Sequence, residues 1–242
     1  MSSDPQRRYR TALTVATATI AAIGLASWPL TSTGSPTAPG LTAVQLGKGD
    51  FLVASRDLRD PSFSRTVVLL LEHGPEGTLG LIVNRPTTMK LADLLPDVEG
   101  IDEREDAVYA GGPVLPGAML MLVRSDRAPS ESPQVLEGVY YSGNRELLAE
   151  LVRRGGDGEP FRVYAGHAGW SPGQLEWEVR RRSWHVVPGD GAAVFDDDPL
   201  ELWDKMIRRS TTLLAALRIR KVAQQILGSG SPTSMSITRL PP

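Results

Sequence analysis

The chain has 242 residues, 41% of them hydrophobic and 22% charged, with a formal net charge of −2 and no cysteine. This is enough apolar material for one sizeable core with extensions, and the missing cysteines exclude disulfides, thiolate metal sites, a cysteine nucleophile and lipoprotein acylation. Charge is unevenly spread, +2 over residues 1–47, −11 over 48–204 and +7 over 205–242, where no acid occurs. An acidic body repels phosphate backbones, and the body lacks helix-turn-helix spacing, zinc ligands or an RNA-binding aromatic motif, so direct nucleic-acid binding is not expected.

Residues 1–46 read as a hydrophobic segment and linker. Arg7, Arg8 and Arg10 precede the uncharged stretch 11–30, which has the length of a membrane-spanning helix. The flanking arginines predict an N-in, C-out anchor. A cleaved signal peptide and a start that never meets a membrane are the alternatives, although no clean small-x-small cleavage site follows. Residues 31–40, rich in Ser, Thr, Pro and Gly, suit a linker.

From residue 47 the pattern is that of a globular domain extending to 209. The runs 50–55, 66–72 and 77–84 are short, apolar and rich in Val and Leu, as buried strands are. Gly74, Pro75, Glu76 and Gly77 form a hairpin loop by composition. Pro86 ends the third strand and forces Arg85 into an extended conformation. Residues 90–96 predict a short helix stopped by Pro96, and 97–106, with six acids, a solvated loop. Strands follow at 107–112 and 118–124, joined through Gly111, Gly112 and Pro113. Asn144 is placed to cap a helix over 145–154 that Gly155 and Gly156 terminate. A strand at 161–166 leads to a helix over 172–182 with Pro172 in its first turn. The last helix of the domain, 198–209, has Asp198 as its cap. No internal repeat and no regular βαβ alternation occur, so an α+β fold is expected. Residues 210–242 form a basic extension. Within it Ala215, Ile219, Val222 and Ile226 recur at helical spacing over 211–227, which reads as an amphipathic helix lying on a membrane or docked on the domain.

Four ordered blocks carry a family resemblance. The first holds Asp60, Pro61, Phe63 and Arg65, then Glu72 and His73, then Gly80, Leu81, Asn84, Arg85 and Pro86. The others are "YAGGPV" at 109–114, "AGHAGWSPGQLEWEV" at 165–179 and "VFDDDPLELWDKMIRR" at 194–209. Together they resemble the YqgE/AlgH family of largely uncharacterised bacterial proteins. That resemblance implies one α+β domain, a small barrel-like mixed sheet surrounded by short helices. It also implies a cytoplasmic location, against the anchor, and a regulatory role suggested for one branch. His167 stands where the family usually has Tyr, and Ser171 where it has Gly.

Each chemical constellation competes with a plainer role. Glu72, His73 and Glu76 match no ligand spacing, and His73 is better suited to fixing the 74–77 loop than to binding metal. Ser171 beside Pro172, with His167 upstream, lacks the strand-turn-helix nucleophile elbow. Neither a dinucleotide fingerprint nor a Walker lysine is present, so no cofactor and no metal are expected. No catalytic residue is assigned. A ligand rim is the sharper possibility, with Arg65 and Arg85 for an anion, Asn84, Gly111 and Gly112 at strand ends, and Trp170, Gln174 and Glu176 as aromatic and polar handles. The plainer roles are ion pairing of the arginines to body carboxylates such as Asp60, and core packing of Trp170. The reading favours a non-enzymatic binding or regulatory module acting through a protein partner or small ligand. Its alternative is a hydrolase-like enzyme with a pocket near Arg65, Asn84, Arg85 and Trp170. Membrane contact is expected through 11–30, with 211–227 as a second contact.

Overall fold

The computed structural model of the chain describes residues 46–101, 104–155 and 160–228. The segment 11–30 lies outside them, and among the described residues no helix is long and apolar enough to cross a membrane.

Ten strands build one strongly curved mixed sheet. They are β1 (Asp50–Ala54), β2 (Val67–Gly74), β3 (Gly77–Ile82), β4 (Pro86–Lys90), β5 (Ala107–Ala110), β6 (Val114–Arg124), β7 (Gln134–Leu136), β8 (Val139–Ser142), β9 (Phe161–Trp170) and β10 (Trp184–Pro188). The order is β10-β1-β2-β3-β9-β6-β8-β7, with β4 paired to β5. β5 runs parallel to β9, joined at Tyr109–Tyr164 and Ala110–Ala165. The ends of the sheet curl towards each other. Tyr141 on β8 donates its hydroxyl to the Glu72 carboxylate on β2, and a Cβ at Gly49 would lie 2.8 Å from the Val135 carbonyl of β7. The result is the α+β half-barrel that the sequence pattern and the resemblance predict.

β9 is the central element, and its pleat separates two cores. Tyr164, Ala168 and Trp170 enter a first core with β1, β2, β3, β10 and the final helix. Phe161, Val163 and Ala165 enter a second with Leu91, Leu95, Met121 and Val123. That second core is covered by α1 (Arg145–Arg153) through Leu148, Leu151 and Val152. Asn144 caps α1 as expected, its Oδ1 accepting from the Leu147 amide at 3.1 Å, and Gly155 follows in the left-handed region at φ 72°.

Several elements depart from the sequence expectation. The helix expected over 90–96 is only a 3-10 turn, Leu91–Asp93, in which the Asp93 carboxylate accepts the Lys90 amide at 3.1 Å. Pro86 does not merely end a strand but opens β4. The second of the expected strands across the Gly-Gly-Pro turn begins at Val114, four residues early. The hairpin β7–β8, β10 and the short α3 (Gly191–Val194) were not anticipated. The helix expected from Pro172 is α2 (Gln174–Arg180), because Gly173 at φ 76° breaks the helical run after the proline. Asp198 accepts from the Glu201 amide at 3.3 Å, just ahead of α4 (Leu202–Gly228). α4 passes without interruption through residue 209. Leu202, Trp203, Met206, Ile207 and Ser210 are buried, whereas 211–216 are all exposed, so only its first part is docked on the domain.

Candidate functional site

The long connection from β1 to β2 carries Phe63 and Arg65, and two consecutive residues after β3 hold it in place. Asn84 is buried, accepting from the Val67 amide at 2.8 Å through Oδ1 and donating to the Arg65 carbonyl at 3.0 Å through Nδ2. Arg65 itself sits at φ 57°, a conformation that side chains with a Cβ seldom adopt, so the Asn84 clamp holds a strained residue. Arg85 donates to the carbonyls of Ser62 at 2.6 Å, Ser64 at 2.9 Å and Pro61 at 3.3 Å. It therefore gathers backbone oxygens and does not bridge to Asp60, whose Oδ1 accepts the Ser62 amide. The Arg65 guanidinium lies 4.3 Å from the Trp203 ring centre and donates to Asp204 at 2.7 Å.

Phe63 connects this loop to the second group. Its ring stacks on Trp170 at 5.9 Å and meets Trp184 edge-on at 5.5 Å. Both indole N–H groups donate to Oε2 of Glu178, Trp170 at 3.0 Å and Trp184 at 2.7 Å. Gln174 donates to the other carboxylate oxygen at 3.0 Å while accepting the Ser171 amide at 3.1 Å. Trp170 is 5% exposed, which makes it a core residue with a satisfied polar edge. Glu176 faces His73 at 3.7 Å, and His73 Nδ1 shares a 2.8 Å hydrogen bond with Thr78 across the hairpin. His73 thus ties β2 to β3, the plainer of its two expected roles.

Gly111 and Gly112 belong to a different contact. Gly111 is bonded on both sides, its amide to the Ala165 carbonyl and its carbonyl to the Ile82 amide, each at 2.8 Å. A Cβ on Gly112 would fall 2.2 Å from the His167 carbonyl carbon, so only glycine admits this approach of the turn to β9. The polar side chains of the expected rim thus have partners within the fold. Phe63, two residues before Arg65, stacks on Trp170, and the two glycines are packed against β9. A cavity of about 190 Å³ between β5 and the start of β9 is lined by Asp106, Tyr109 and Arg162, among others. A wider groove of about 780 Å³ lies beside α1, lined by Arg127, Arg153 and Glu146 among others. None of the eight rim residues lines either one. Among the described residues no group of three or more His, Asp or Glu side chains is placed to hold a metal ion, and no hydrogen bond joins Ser171 to His167.

Residues 51–215 match the AlgH-like family. The chain belongs to that family. A UPF0301 protein of Chlorobium luteolum is 35% identical over 165 residues, covering 68% of this chain and 86% of the relative. A UPF0301 protein of Streptomyces coelicolor is 38% identical over 185 residues, covering 73% and 93%. The solution structure of AlgH from Pseudomonas aeruginosa superposes with a TM-score of 0.56 at 28% identity, over 81% of this chain and all of that one. A crystal structure from Corynebacterium diphtheriae gives 0.57 at 21% identity, over 70% of this chain and 90% of that one, a likeness of fold alone.

The AlgH-like blocks quoted from the sequence thus coincide with the residues that knit the fold. The Asn-Arg-Pro of the first block pins the β1–β2 connection, the Gly-Gly-Pro of the second admits the crossing to β9, and the third supplies the tryptophan and Glu178. Two groups outside the expected rim stand out. Tyr164 is fully buried, burial raises its pKa, and its hydroxyl has no hydrogen-bond partner among the described residues. Leu115 is 64% exposed at φ 44°. Neither carries a polar or glycine-rich signal that would single it out in the sequence.

Proposed function

We propose that this AlgH-like chain is a non-enzymatic binding or regulatory module acting through a protein partner, with the apolar arch that opens β6 as its contact. Leu115 carries the reading. β6 pairs with β9 at Val114–His167 and again at Met119–Ala165, so residues 115–118 bulge out of the ladder. The stretch 113–118 has no charged or polar side chain, and Val114 is 38% exposed beside Leu115. A leucine in the left-handed region costs about 1–2 kcal/mol, and strain at an exposed position is not offset by packing within the domain. Single exposed leucines are ordinary, but a strained apolar arch offers a partner a pre-shaped surface.

A small-ligand reading draws less support, because Asn84, Arg85, Gln174 and Glu178 already use hydrogen bonds inside the fold. The test is Leu115→Gly in the full chain, which removes side chain and strain together. The melting temperature is expected to hold or rise, while photo-crosslinking from position 114 to a partner protein falls. A melting temperature lowered by several degrees would mean that Leu115 packs internally. Undiminished crosslinking would remove the arch from the contact.

A further inference from the structure

We infer that the arginine cluster at the end of α2 is a contact for an acidic segment of a protein partner. Arg180, Arg181 and Arg182 are consecutive and all exposed. The Ser55 amide donates to the Ser183 carbonyl at 2.9 Å, continuing the β1–β10 pairing beyond Ala54 and Trp184. That bond brings the turn at Arg56 beside the end of α2. Arg56 is exposed as well, and its guanidinium and that of Arg65 both meet the Trp203 ring, at 5.4 and 4.3 Å from its centre.

The fold leaves this cluster uncompensated. Arg65 pairs with Asp204, and in α4 Lys205 meets Asp196 at 2.8 Å and Arg209 meets Asp190 at 2.6 Å. Arg56, Arg180, Arg181 and Arg182 make no ion pair among the described residues. Arg182 is also strained. Its amide donates to the Val179 carbonyl at 2.9 Å and the next amide, of Ser183, to the Glu178 carbonyl at 3.0 Å, with Arg182 at φ 62°. Glycine is the usual residue in that helix-ending position, and no contact within the fold offsets the cost of an exposed arginine there. Arg181 lies 4.6 Å from the ring centre of Trp177, which is 51% exposed. Such stacking holds a guanidinium against the ring face and leaves its N–H edge open.

Open guanidinium edges match carboxylates, and clustered arginines recognise acidic motifs. None of these arginines lines either cavity, so the surface suits an extended segment and not a small anion. Asp57 and Asp60 are exposed within it and repel a continuous phosphate backbone, whereas spaced carboxylates fit between them. The −11 charge of residues 48–204 confines an acidic segment to this one basic patch of the body. The patch shares no residue with the arch at Leu115 and does not depend on it.

The experiment measures fluorescence anisotropy of a short labelled peptide of alternating glutamate and glycine, titrated with the full chain. Binding is expected at low salt, falling at high salt because exposed charges are screened. The Arg56→Glu, Arg181→Glu, Arg182→Glu variant should weaken it about tenfold or more, since like charges then face each other at the contact. Arg182→Gly should weaken binding several-fold while the melting temperature holds or rises, a combination that a purely structural arginine would not give. A lowered melting temperature for Arg182→Gly overturns the inference. So does an absence of binding, or binding that survives the triple reversal and therefore belongs to the basic residues beyond 204. Tighter binding of a single-stranded oligothymidylate of equal charge would assign the patch to nucleic acid instead. A dimer, seen by sedimentation, that the triple reversal dissolves would mean that a second copy covers the patch, and would also overturn it. Leu115→Gly should leave peptide binding unchanged, which separates this result from the fate of the proposed contact at the arch.

Discussion

Asn84→Ala distinguishes a ligand group from a structural pin. The side chain is 4% exposed and makes two hydrogen bonds, to the Val67 amide at 2.8 Å and the Arg65 carbonyl at 3.0 Å. Val67 is itself fully buried, so truncation leaves its amide without an acceptor or water. A buried group left unsatisfied costs about 1–3 kcal/mol. The Arg65 carbonyl lies on a partly accessible loop and regains some of its loss from solvent. The expected destabilisation is about 2–4 kcal/mol. For a domain of this size that corresponds to roughly 5–15 °C in melting temperature, at about 2–4 °C per kcal/mol. Urea denaturation followed by circular dichroism measures it directly, provided the slope with denaturant matches that of the wild type. Asn84→Asp keeps the acceptor for Val67 but turns a carboxylate oxygen towards the Arg65 carbonyl, and should also destabilise at neutral pH. A loss below about 1 kcal/mol for Asn84→Ala would refute the pin, returning Asn84 to the candidate ligand groups.

Glu178→Ala should cost about 2–4 kcal/mol, since it strands the indole N–H groups of Trp170 and Trp184, which are 5% and 3% exposed. Urea denaturation against Glu178→Gln, which retains an acceptor and should lose far less, checks this, and equal losses would sink it. A third expectation concerns pH. Burial lowers the pKa of His167 and of His185, so the unfolded chain binds protons first as pH falls through about 6.5. Stability should therefore decline from pH 7 towards pH 5. Asp50, whose pKa burial raises, acts with the opposite sign but near the carboxylate range. A His167→Gln, His185→Gln variant should show a shallower slope in urea midpoints across that window, and an unchanged slope would contradict the assignment.

Local rules were enough for much of the framework. The apolar runs of β1, β2 and β3 and the Pro75-Glu76 hairpin turn are written in side-chain period and turn composition. The Asn144 cap and the Gly155 stop depend on residues within one helical turn, and both form as expected. β7, β8 and β10 were not legible because none carries the sustained aliphatic run that marks β1, β2 and β3, and their pairing depends on neighbours already in place. The same limit governs the candidate site. Arg65, Asn84, Arg85, Trp170 and Gln174 were visible as unusual residues, but a polar side chain has no local period that names its partner. Asn84 meets a residue 17 positions away, Arg85 reaches carbonyls 21 to 24 positions away, and Trp203 donates to the Ala54 carbonyl 149 positions away. Side-chain pattern along the chain thus determined the early strands, the caps and the family. Only the curl of the sheet decided whether those polar groups face a ligand or each other, because hydrogen bonds form between groups that folding brings within about 3 Å, whatever their separation in sequence.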